Sequence, residues 1–148
     1  MRLLPAALLL LASCGGAPAP MEVDTRNDAC AWCRMGVSDL RTAAQLVAPL
    51  EEARFFDDIG CLRDYLRQGA TLPPGAVAYV ADHRTRAWLR ADGAVYVQAP
   101  ALVTPMSSGI AAWADAASRA ADASVPEGAP PSTPTEIFGP HGPPGGRP

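Results

Sequence analysis

Apolar and polar positions change period several times along the chain, and each change marks an element. Thr42-Ala43-Ala44-Gln45-Leu46-Val47 and Ala53-Arg54-Phe55-Phe56 are short apolar runs that predict two strands. From Ile59 to Gln68 the apolar residues Ile59, Leu62, Tyr65 and Leu66 recur at helical spacing, which predicts an amphipathic helix. Leu72-Pro73-Pro74-Gly75 stops it. Ala76-Val77-Ala78-Tyr79-Val80 reads as a buried strand, and Ala87 to Arg90 and Ala94 to Val97 flank an Ala91-Asp92-Gly93 turn. Ser107 to Ala123 is alanine-rich, with Ile110, Trp113 and Ala117 on one face, and predicts a second helix. The order strand, strand, helix, strand occurs once and loosely recurs. The expected class is α+β, a small sheet covered by two helices.

The flanks differ from this middle. Met1-Arg2 and the apolar run Leu3 to Leu11 are too short to span a bilayer but suit the core of an export signal. The run ends in Leu11-Ala12-Ser13-Cys14, small residues followed by a cysteine, as at a bacterial lipoprotein cleavage site. Residues 1–13 are then a signal peptide, with Cys14 the lipidated first residue of an exported, membrane-anchored chain facing the periplasm or cell exterior. Residues 14–27, without periodicity, are expected to be a flexible spacer, and 28–123 to be the folded domain. Residues 124–148 hold eight of the 16 prolines and are expected to be a disordered tail.

With 148 residues the chain has room for one compact domain, or two very small ones sharing a core. Its 12 basic residues, all arginine, stand against 15 acidic ones for a net charge of −3, a poor match for nucleic acid. Four cysteines suggest two disulfides, but lipid on Cys14 would leave Cys30, Cys33 and Cys61, an odd number.

Asp28-Ala29-Cys30-Ala31-Trp32-Cys33-Arg34-Met35 is the densest chemical cluster. A Cys-x-x-Cys can form a redox-active disulfide, supply half of a zinc site, or hold a soft metal with nearby thioethers. Zinc needs four ligands, and beyond this motif the sequence offers only Cys61 and His83. A thioredoxin-like motif follows a strand and opens a helix, a context missing here. Cu(I) uses Met35 as well, and Met106, on the Thr104-Pro105-Met106-Ser107-Ser108-Gly109 turn, is a second thioether, with core packing for Met35 and capping of a helix's apolar face for Met106 as the alternatives. Cys61 falls in the first turn of the first expected helix, where a helix dipole favours a thiolate, and equally reads as a small buried cysteine kept inert. A carrier, a thiol–disulfide oxidoreductase using Cys30 and Cys33, and an adaptor lipoprotein contacting partners through Trp32, Trp88 and Trp113 all stay open.

Cys33-Arg34-Met35-Gly36-Val37-Ser38-Asp39, Phe56-Asp57-Asp58-Ile59-Gly60-Cys61, Tyr79-Val80-Ala81-Asp82-His83, Trp88, Ala94-Val95-Tyr96-Val97 and Pro105-Met106-Ser107-Ser108-Gly109, taken in order, resemble the NosL family of nitrous oxide reductase accessory lipoproteins. The resemblance spans roughly Cys30 to Ala120. It implies two small ββαβ units and a Cu(I) chaperone, not an enzyme, serving the copper–sulfide centre of that reductase or its membrane assembly complex. Cys33 and Met35 match the family's Cys-x-Met, Met106 its methionine in a Gly-rich turn, and Cys30 an extra cysteine of some members. Cys61 and His83 are lesser candidates. Arg34 departs from the glycine usual at that position.

Overall fold

The computed structural model describes residues 16–145. Cys14 and the export signal lie outside the described residues. The elements are β1 (Ala44–Val47), β2 (Arg54–Phe56), α1 (Ile59–Arg67), β3 (Val77–Ala81), β4 (Trp88–Arg90), β5 (Val95–Gln98), β6 (Ile110–Trp113), α2 (Ala116–Ala120) and α3 (Pro134–Phe138). The class is α+β. An antiparallel sheet runs in the order β2-β1-β3-β4, and β5 and β6 form a second antiparallel pair. A parallel bridge between Asp82 and Ala112 links the two.

β1, β2, α1 and β3 make one ββαβ unit. β5, β6 and α2 repeat its beginning, and Ser132, bridged antiparallel to Tyr96, stands where the last strand would return. Both helices start alike. Asp58 caps α1 by accepting from Gly60 N–H, and Asp115 caps α2 by accepting from Ser118 N–H. Each cap lies two residues beyond its strand, so an aspartate there satisfies amide donors that the helix start leaves open.

The core explains these elements. β1 and β3 are buried throughout. One face of the sheet meets α1 through Ala44, Leu46, Phe56, Ile59, Leu62, Ala78 and Val80, and the other carries Val47, Val77 and Tyr79 with Ala53 and Trp88 against them. Residues 16–27 attach to that second face. Pro18 O accepts from Tyr79 Oη at 2.6 Å, and the Gln45 carboxamide pairs with both the N–H and C=O of Met21. The expected spacer is therefore docked in its described part, because the sheet needs cover on both sides.

Two other expectations change. Ser107–Ala123 is not one helix: Ile110–Trp113 is a strand, and only Ala116–Ala120 is helical. Alanine favours helix, but here small side chains let a fully buried strand pair with β5 and lie against the β3 end. Residues 124–145 are not a disordered tail. Thr133 and Glu136 form a reciprocal capping box with Pro134 at the helix start, and Ile137 and Phe138 are buried. Phe138 meets Tyr96 edge-on at 5.7 Å, and Pro144 O accepts from Ala78 N–H at 2.8 Å.

Candidate metal centre

The Cys30–Met35 segment is a closed loop. Cys30 N–H donates to Met35 O at 2.7 Å and Arg34 N–H to Cys30 O at 3.0 Å. Arg34 has φ 68°, in the left-handed region that favours glycine. Ala31 N–H donates to Phe55 O at 2.8 Å, which fixes the loop to β2 and so to the start of α1. Cys61, in the first turn of α1, thereby comes against the loop.

The result is a cluster of three sulfurs. The Sγ atoms of Cys30, Cys33 and Cys61 all lie within 4.8 Å of one another. All three are free thiols. Three thiolates about 2.3 Å from a central ion stand about 4 Å apart in a trigonal arrangement, so the cluster can hold a metal ion after small adjustments. Cys30 and Cys61 are buried and Cys33 is half-buried, so the cluster opens toward solvent on the Cys33 side.

The three sulfurs differ electrostatically. The Cys61 thiol donates to Cys30, and this, helped by the amides of Asp57, Cys33 and Trp32 against the cost of burial, brings Cys30 down to about 5. Cys61 is pushed up, first as the donor to Cys30 and then by burial. Burial also raises Cys33, with the neighbouring Cys30 adding to it and the Met35 amide opposing. The hydrogen bonds of the cluster thus favour the thiolate form at Cys30 over the other two.

Met106 belongs to the same end of the molecule. Asp58, the α1 cap, accepts from Met106 N–H at 3.0 Å, from Thr104 Oγ1 at 2.6 Å and from Ser108 Oγ. A Cβ on Gly60 would overlap Ser108 Cβ, so glycine lets the methionine turn sit directly on the helix start. Met35 and Met106 are 49% and 41% exposed, unusual for methionine, and available to a ligand arriving from solvent.

His83 goes elsewhere. Its Nδ1 meets Asp122 Oδ2 at 2.9 Å, and its ring lies 5.5 Å from that of Trp113. It is not in the sulfur cluster. Cys61, ranked below the loop cysteines on sequence, is a full member of it. The missed signal is tertiary: Cys61 lies 28 positions after Cys33, and the β1–β2 pairing and the Ala31–Phe55 bond bring them together. Of the tryptophans, Trp113 is fully buried, and Trp32 and Trp88 pack against the core while partly exposed. Among the described residues no helix is long and apolar enough to cross a membrane. No protein-family model, no curated protein and no solved structure matches the chain.

Proposed function

We propose that the protein is an exported, lipid-anchored Cu(I) carrier, with Cys14 as the lipidated residue. The observation that carries this reading is the sulfur cluster of Cys30, Cys33 and Cys61, with one exposed methionine two residues after Cys33 and another on the turn held by the α1 cap. A set of thiolates without a fourth nitrogen or oxygen donor suits a soft monovalent ion better than zinc. The half-buried Cys33 is the member through which the ion arrives and leaves, with Met35 and Met106 as neutral, weaker partners during exchange. Of the two lesser candidates from sequence, Cys61 joins the proposed ligand set and His83 leaves it. The resemblance to NosL proteins supports nitrous oxide reductase, or its membrane assembly complex, as the acceptor.

Titration of the soluble domain with Cu(I) against a competing chelator tests the reading. Uptake of one equivalent is expected. Cys33→Ser and Cys61→Ser should each weaken it at least about tenfold, the lower end of what losing a metal-supporting group costs. Met106→Leu should weaken it less. Unaltered binding by both serine variants rejects the site. A stable Cys30–Cys33 disulfide that excludes copper, together with a measured dithiol exchange activity, would instead favour an oxidoreductase.

A further inference from the structure

The contacts that build the Cys30 loop occur a second time around Asp82. Asp82 N–H donates to Ala87 O at 2.8 Å and Arg86 N–H to Asp82 O at 2.7 Å, as Cys30 does with Met35 and Arg34. Arg86 has φ 63°, beside 68° at Arg34. His83 N–H donates to Ala112 O at 2.8 Å, where Ala31 donates to Phe55 O at the same distance, and Phe55 and Ala112 each precede the last residue of their strand.

The side chains follow the same plan. Cys30 Sγ accepts from Cys33 N–H at 3.5 Å, and Asp82 Oδ1 accepts from Thr85 N–H at 2.9 Å, three residues on in both loops. The amide of the residue just after the second strand of each unit faces the same acceptor: Asp57 that of Cys30, and Ala114, which donates to Asp82 at 2.9 Å. The last donor comes from the first turn of the helix, three residues past the cap. It is the Cys61 thiol, its Sγ within 4.8 Å of Cys30 Sγ, in one unit and the Ser118 hydroxyl, at 3.4 Å, in the other.

We propose that the Asp82–Ala87 loop is a second copy of the metal loop, with Asp82, Thr85 and Ser118 in the seats of Cys30, Cys33 and Cys61. Chemistry separates the two uses. The first seat presents three sulfurs to one point. In the second, the Asp82 oxygens already accept from the amides of Arg84, Thr85 and Ala114 and from Ser118 Oγ. That seat is closed by hydrogen bonds and takes no ion, so the chain carries a single soft ion, in its first unit. Both seats need a buried acceptor that ties the loop to the strand end and the helix start. Asp82 does only this. Cys30 is therefore a positioning residue as well as a ligand, holding the loop closed before the metal arrives. The loop equivalence is independent of the copper reading, and only the identity of the ion rests on it.

Two measurements test this. In the metal-free protein, Cys30→Ala should speed hydrogen exchange at the Cys33 and Asp57 amides more than about tenfold, while Cys30→Asp, which installs the acceptor of the sister loop, keeps both within about threefold of the parent. Unchanged exchange in Cys30→Ala, or equal loss in both variants, overturns the positioning role. Separately, the combined Asp82→Cys, Thr85→Cys, Ser118→Cys variant should take up two equivalents of Cu(I), with twice the thiolate-to-copper absorption of the parent. A folded variant that stops at the parent's one equivalent overturns the shared seat. A parent that binds no copper refutes the carrier reading alone, since the exchange comparison involves no metal.

Discussion

Asp58 accepts from Gly60, Thr104, Met106 and Ser108 at once, so the cap of α1 and the turn carrying Met106 form one structure. Gly60 makes this possible. In an ordinary helix Gly→Ala gains about 1 kcal/mol. Here the new methyl would press on Ser108 Cβ, which is attached directly to backbone and cannot swing away, and overpacking of this kind costs about 1–3 kcal/mol. Gly60→Ala is therefore expected to lose stability in urea denaturation and, by displacing the Met106 turn, to weaken Cu(I) retention in the same preparation. A more stable variant would show that the turn yields freely. At this scale the sequence was informative about which atoms matter. Cys30, Cys33, Met35 and Met106 were all identifiable as soft donors, because ligand chemistry belongs to the residue itself. The place of Cys61 was not legible. A helix-dipole argument predicts a lowered thiol there, whereas its hydrogen bond to Cys30 and its burial push it up.

Elements were legible where periodicity and packing agree. α1 runs from Ile59 to Arg67, close to the expected span, because its apolar face and its cap both lie within the segment. The strand Ile110–Trp113 was hidden by alanine, whose helix preference is overridden once β5 supplies a partner. The C-terminal segment was hidden by composition. Its prolines and glycines read as disorder, yet Thr133-Pro134-Thr135-Glu136 is a helix-start signal and Ile137-Phe138 are the apolar residues it delivers to the core. Arg67 strengthens the attachment by donating to Ile137 O at 2.9 Å. Phe138→Ala is therefore expected to cost about 3 kcal/mol, at the lower end for a buried phenylalanine. Loss should also appear as faster exchange at Ala78, whose N–H is held by Pro144 O. A change below about 0.5 kcal/mol, the level of an ordinary surface substitution, would mean that the segment is not part of the folded core.

Across the whole molecule, the two units share an apolar core and meet at the Asp82–Ala112 bridge, and the carboxylates of buried Asp82 and half-buried Asp122 brace the second unit where it meets β3. Asp82 takes donors from its own loop and from Ala114 at the end of β6. Asp122 binds His83 from the β3–β4 loop, Trp113 Nε1 at 3.0 Å and Ser124. Burial would raise both carboxyls, but for Asp82 the amides of Thr85 and Ala114, and for Asp122 the bonds from Ser124, His83 and Trp113, outweigh it and hold each below its ordinary value. The sign follows directly. Between the lowered folded value and the unfolded value of about 3.9, the unfolded chain binds more protons, so stability rises with pH. The contribution is complete above the unfolded value and is lost as pH falls through the folded ones. Urea midpoints should therefore be flat near neutrality and decline below about pH 4. Asp122→Asn cannot ionise, so it should start less stable at pH 7 yet lose less on acidification. Parallel stability curves for the parent and this variant between pH 5 and pH 2 would show that the bracing of His83 and Trp113 does not depend on the charge of Asp122. Convergence of the curves toward low pH would locate part of the acid sensitivity of the fold in that one carboxylate.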